Sequence, residues 1–149
     1  MGPTSRLSVE VACQRAEKAA KFLAADPRVR LVFFFGSAAD PERTLPVGDV
    51  DLAILTDRSL DLYELLALQG DAALAAGGDV DLILLNDAPV VLAHEVAETG
   101  QCLYADPPEA ETDFVVRAYM KYFDFKYYLD LQWRLMKERQ EERRRGLPG

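Results

Sequence analysis

The chain is predicted to fold as a small α/β domain, a mixed sheet flanked by helices, with a long C-terminal helix. Three observations carry that expectation. Short apolar runs rich in Val, Phe, Leu and Ile alternate with segments of helical period. Gly and Pro punctuate the junctions between them. After Pro107-Pro108, one helical pattern runs from Glu109 to about Arg145.

Ser8 is the expected N-cap of a first helix reaching about Ala25. Val11, Ala12, Ala16, Ala19, Phe22 and Leu23 recur there at helical spacing, and Pro27 stops the run. Val29 to Phe35 is a first strand in which only Arg30 is charged. The segment from Gly36 to Gly48 carries two prolines, two glycines and mixed charge, with no period. Asp49 to Thr56 is a second strand, with Val50, Leu52 and Ile54 on one face and Asp49, Asp51 and Ala53 on the other. Leu60 to Ala76 is a helix ended by Gly77-Gly78. Val80 to Leu85 forms a third strand, with Asp79 and Asp81 on a common face. Ala88 to Thr99 is a helix closed by Gly100, and Gln101 to Tyr104 a short last strand. The order is α-β-β-α-β-α-β-α, with the helices expected on one face of the sheet. Pro107-Pro108 separates a body, residues 1–107, from the C-terminal helix segment, residues 108–149.

At 149 residues, half of them hydrophobic, the chain fits one domain with a sizeable core. No apolar run approaches a membrane span, and the N-terminus lacks the charged-then-apolar pattern of a secretory signal. Cys13 and Cys102 show no metal-ligand spacing and read as buried free thiols of a cytoplasmic protein. The formal net charge of −8 opposes direct binding to a nucleic-acid backbone. Basic residues gather at Lys137, Arg139 and Arg143-Arg144-Arg145, where they complement the dipole of a helix C-terminus.

Chemistry concentrates in Phe35-Gly36-Ser37 and, after eleven intervening residues, Asp49-Val50-Asp51-Leu52. In a strand Asp49 and Asp51 project together, roughly 7 Å apart at Cα. Asp is disfavoured within strands, and two like charges so close call for a cation between them. Carboxylate oxygens suit Mg²⁺, which keeps its other positions for water and substrate phosphates. Gly36 lets backbone approach a ligand, and N–H groups after a strand can cradle phosphate oxygens. Asp81 is a third carboxylate on a nearby strand, with Asp79 its competitor. His94 has no partners that would complete a nucleophile–base arrangement and reads as a helix-face residue. Neither a Walker A lysine motif nor a dinucleotide glycine fingerprint is present.

These residues resemble the nucleotidyltransferase superfamily that includes DNA polymerase β. More narrowly, they are similar to the minimal nucleotidyltransferases (MNT), which are encoded beside HEPN-domain partners. The resemblance spans roughly Val29 to Tyr104. It takes in Val80-Asp81-Leu82-Ile83-Leu84-Leu85-Asn86 with Ala88-Pro89, then the run from His94 to Tyr104. Family members commonly carry an arginine and a second glycine after the Gly-Ser, and a serine before the first Asp. Here the run is Ala38-Ala39-Asp40-Pro41-Glu42-Arg43, Gly48 precedes Asp49, and the spacer is about one residue longer.

The resemblance implies the small nucleotidyltransferase fold and transfer of AMP from ATP with release of pyrophosphate. Asp49, Asp51 and Asp81 would be the catalytic and metal-binding triad for two Mg²⁺ ions, Asp81 on the nucleophile side. Gly36 and Ser37 would grip the β- and γ-phosphates, with Arg43 supplying the displaced positive charge. The implied acceptor is a tyrosine hydroxyl of a HEPN toxin, with this chain as antitoxin. Two rival readings stand beside it: transfer to a small molecule such as an aminoglycoside, and neutralisation of the partner by occlusion without catalysis.

The final helix carries a further expectation. Val115, Ala118, Tyr122, Phe125, Leu129, Trp133 and Met136 form one apolar stripe, while Phe114, Tyr119, Phe123, Tyr128, Leu131 and Leu135 lie outside it. Eight of the fourteen aromatics fall between Phe114 and Trp133. A helix apolar nearly all round predicts a partner surface, for a HEPN protein or a second copy.

Overall fold

The computed structural model describes residues 8–36, 39 and 50–146. They form α1 (Val9–Ala24), β1 (Val29–Phe35), β2 (Asp51–Thr56), α2 (Leu62–Ala76), β3 (Asp81–Leu84), α3 (Val90–Thr99), β4 (Gln101–Ala105) and α4 (Glu109–Arg144). The order and identity of the elements are those expected. Several ends are shorter for local reasons. Asp61 caps α2 through a capping box with Glu64, so that helix begins at Leu62 rather than Leu60. Pro89 occupies the N-cap of α3, which starts at Val90 rather than Ala88. Ser8 caps α1 by accepting from the Val11 amide at 3.2 Å, and Gly77 ends α2 in the left-handed conformation.

The strands lie in the order β3-β2-β1-β4. β1 runs antiparallel to β2 and β4, whereas β2 and β3 are parallel, so the sheet is mixed. Helices cover both faces, not the single face expected. The reason lies in β1, which is apolar at every position from Leu31 to Phe35 and therefore needs cover on each side. Val32 and Phe34 join α1 and α2 in one cluster with Leu52, Ile54 and Leu82. Leu31, Phe33 and Phe35 join α3 and α4 in another with Ala53, Val96, Phe114 and Ala118.

α4 divides along its length. Phe114 and Ala118 are buried in the second cluster, and Tyr122 is half-buried, whereas every residue from Phe123 to Glu141 is exposed. At 36 residues the helix is about 54 Å long, more than the sheet can cover. Cys13 and Cys102 are free and half-buried rather than fully buried; burial, reinforced by Glu111, pushes the Cys102 thiol up to about 11. Among the described residues no helix is long and apolar enough to cross a membrane.

Candidate active site

The second and third strands bring two of the expected carboxylates together. Asp51 opens β2 and Asp81 opens β3, and the parallel register pairs them directly. Their Cα atoms are therefore separated by about one interstrand spacing, ~4.8 Å. Asp79 lies before β3, exposed, its carbonyl accepting from Arg15 Nη1 at 3.4 Å. The register thus sets Asp81, and not Asp79, opposite Asp51. Asp81 is exposed and Asp51 half-buried. Both belong to the face that carries Phe35 and Ala53.

Gly36 completes the described part of this corner. Phe35 pairs with Asp51 across the antiparallel ladder, so the chain turns away from β1 beside the Asp51 side chain. Gly36 has φ +81°, a conformation that L side chains rarely adopt, and a Cβ placed there would lie 2.5 Å from Asp51 Oδ2. Glycine is required twice over, by backbone conformation and by the approach of a carboxylate. Ser37, Arg43 and Asp49, the remaining expected site residues, lie outside the described residues.

Three supports that sequence reasoning missed hold this geometry. Ala39 is buried in the first cluster, its amide donating to the Gly36 carbonyl at 3.1 Å. Gln101, at the start of β4, donates to the Ala39 carbonyl at 3.1 Å. Gln69 of α2 accepts from the outward amide of Leu82 at 2.9 Å and so satisfies β3, an edge strand, next to Asp81. A further clip lies at the other end of β2, where the Asn86 amide accepts from Thr56 N at 3.0 Å and donates to Thr56 O at 2.8 Å. None of these residues belongs to a local pattern; each is recognised only by what the fold brings near it.

His94 is structural, as its sequence context suggests. Its ring stacks on Tyr122 with centroids 3.6 Å apart and meets the edge of Tyr119 at 5.0 Å, fastening α3 to α4. Among the described residues no group of three His, Cys, Asp or Glu side chains makes a complete cation site. What they do contain is a pair of hard oxygen donors on adjacent strands beside a glycine turn. That donor set fits Mg²⁺, which takes one or two protein carboxylates and fills its other positions with water and phosphate.

A family model for the polymerase β nucleotidyltransferases matches residues 17–109. The chain belongs to that family. It is an enzyme of the nucleotidyltransferase class. Among its relatives is the protein adenylyltransferase MntA of Shewanella oneidensis, 30% identical over 96 residues that make up 64% of this chain and 68% of that protein. Similar solved structures include a complex of a tri-AMPylated Shewanella oneidensis HEPN toxin with an MNT antitoxin. The match there has a TM-score of 0.65 at 26% identity and covers 84% of this chain and 98% of that one. A toxin–antitoxin structure with AMP-PNP matches with a TM-score of 0.67 at 25% identity, covering 80% and 98%.

Proposed function

We propose that this nucleotidyltransferase transfers AMP from ATP to a tyrosine hydroxyl of a HEPN-domain toxin, and that it is the antitoxin of that pair in the cytoplasm. The observation that carries the catalytic reading is the direct pairing of Asp51 and Asp81 beside Gly36. The adenylyl group, the protein acceptor and the HEPN partner are supported by the named relative and the similar complexes. The exposed half of α4 supports a protein partner independently.

In this proposal Asp49, Asp51 and Asp81 would hold two Mg²⁺ ions. When bound, the ions supply charge stabilisation for the attacking and leaving oxygens of an in-line displacement. Asp81, the more exposed carboxylate, stands on the acceptor side and takes the proton of the attacking hydroxyl. Gly36 keeps the backbone close enough to Asp51 that phosphate oxygens and carboxylate face one small volume, and Ser37 and Arg43 add their hydroxyl and positive charge. Residues 1–107 are thus the catalytic unit, and residues 108–149 the partner-binding one.

The reading is tested by incubating the purified chain with the HEPN protein encoded beside it and with ATP labelled at either the α- or the γ-phosphate. We expect α-label on a partner tyrosine, only with Mg²⁺ present, and stoichiometric pyrophosphate. A partner that is neutralised without acquiring label overturns the catalytic reading in favour of occlusion. Label on an aminoglycoside and none on the protein overturns the protein acceptor.

A further inference from the structure

At the end of β2 remote from Asp51, a cavity of about 370 Å³ opens between β1, α3 and the packed part of α4. Its walls are apolar, with Leu55, Leu85, Ala93 and Phe114 among them, and three cations line it: Arg30, Arg117 and Lys121. Among the described residues Asp113 is the only acid in the lining. In a chain of net charge −8 this is a local excess of positive charge.

Arg30 is the informative member. It is the one charged residue of β1, and a strand packed on both faces has no ordinary place for it. Val29 pairs with Thr56 and Leu31 with the adjacent Leu55, so Arg30 is the extra residue of a β-bulge. A bulge re-aims a side chain and accounts for Arg30 reaching the α3/α4 side together with Leu31. There it is half-buried. Among the described residues Arg30, Arg117 and Lys121 enter no ion pair and no side-chain hydrogen bond. A partly buried guanidinium with no carboxylate partner is costly unless an anion joins it.

We infer that this cavity is a binding site for a small organic anion, an apolar body seated against Leu55, Leu85 and Phe114 with a carboxylate, phosphate or sulfonate head among Arg30, Arg117 and Lys121. The volume lies in the range of small-ligand pockets and is too small for a helix or strand of a partner. Leu55 is four residues along β2 from Asp51, about 13 Å at strand rise, so the site is distinct from the nucleotide corner. The inference does not rest on the acceptor proposed above.

The test uses the full chain and anilinonaphthalene sulfonate, an aromatic body with one anionic head, followed by fluorescence. Saturable binding is expected, unaffected by saturating Mg²⁺-ATP. Arg117→Ala with Lys121→Ala, at exposed helix positions where the fold survives, should weaken it about tenfold or more, the scale of lost charged hydrogen bonds. Arg30→Gln alone should weaken it by a smaller factor. Neutral phenylnaphthylamine should bind the wild-type and double-variant chains alike, and Trp133→Ala should leave the sulfonate's affinity unchanged. Equal sulfonate affinity in wild type and double variant, or displacement by Mg²⁺-ATP, overturns the proposal.

Discussion

The two faces of the sheet use polar groups in opposite ways. On the side of α1 and α2 the charges near the core are matched. Asp26 and Arg28 pair at 2.8 Å, and Glu64 answers both Arg28 and Arg58. Ser8 and Asp61 cap the two helices. The surface between them is continuous and apolar. On the side of α3 and α4, two carboxylates are set opposite each other at one end of the sheet, and three cations line a cavity toward the other. α4 then runs past the sheet with its apolar residues exposed. Both candidate sites thus lie on the α3/α4 side. Because strand residues alternate between faces, β2 serves both: Leu52 and Ile54 pack in the first cluster, while Asp51 lies on the other face, where we propose the chemistry.

Substitutions within β2 and β3 separate the two faces most directly. Asp51→Asn with Asp81→Asn should lower the proposed AMP transfer by at least about 10³, since a positioned base alone accounts for 10²–10⁴, and leave the melting temperature close to wild type. Leu52→Ala, one residue along but on the opposite face, should reverse the pattern. It should destabilise by about 2–5 kcal/mol, as expected for a large-to-small change in a packed core, while the folded fraction keeps its turnover per molecule. Label transfer and thermal denaturation of the same preparations check both. Transfer at wild-type rate by the double variant would remove Asp51 and Asp81 from the chemistry.

Gly36→Ala should come next. It places a side chain in the left-handed region, which costs about 1–2 kcal/mol, and its Cβ collides with the Asp51 carboxylate. A displacement of about 1 Å at a reacting group can lower the rate 10²-fold. The rate should therefore fall far more than stability does. A variant with normal turnover would mean that the position of Asp51 does not matter.

The α1/α2 face was the more legible in sequence, because period and caps report burial directly. Val50, Leu52 and Ile54 alternate, Gly77 marks a helix end, and the element order followed. The second face was hidden by its own apolarity. A strand buried on both sides, such as Leu31 to Phe35, has no alternation to read, so cover on one face was expected where helices occupy both. At the candidate site, types and spacing singled out Gly36, Asp51 and Asp81, which the fold brings to one corner. Register, which sets Asp81 rather than Asp79 opposite Asp51, is a property of strand pairing and is not written locally. Nor are Ala39, Gln101 and Gln69, whose roles exist only once distant elements meet.

α4 allows a sharper contrast inside one helix. Phe114 is buried against Phe33, with ring centroids 5.5 Å apart. Trp133 is 62% exposed, and Phe123 60%. Phe114→Ala should destabilise by about 3–5 kcal/mol. Trp133→Ala should barely move the melting temperature, yet weaken association with the proposed HEPN partner by about 2 kcal/mol, roughly 30-fold, as expected of an interface anchor. Denaturation and isothermal titration separate the two. A chain that stays monomeric and ignores that partner would leave the exposed aromatics without a role.

The smallest expected effect probes the matched charges of the α1/α2 face. The Arg58 guanidinium, the Asp61 amide and Arg28 hold the Glu64 carboxyl at about 2, below its ordinary 4.5. A carboxylate depressed in the folded state stabilises fully above its unfolded pKa and loses that contribution as pH falls through the folded one. Glu64→Gln should therefore melt slightly below wild type at pH 7, by no more than a few degrees because exposed pairs are screened. The gap should close as pH falls from about 4.5 toward 2, and at pH 7 it should shrink as salt is raised. AMP transfer, measured at neutral pH, should not change, since Glu64 lies in α2 on the face away from Asp51 and Asp81. A gap that persists at pH 2, or a loss of turnover, would show that the ion pairs of this face do more than hold α2 in place.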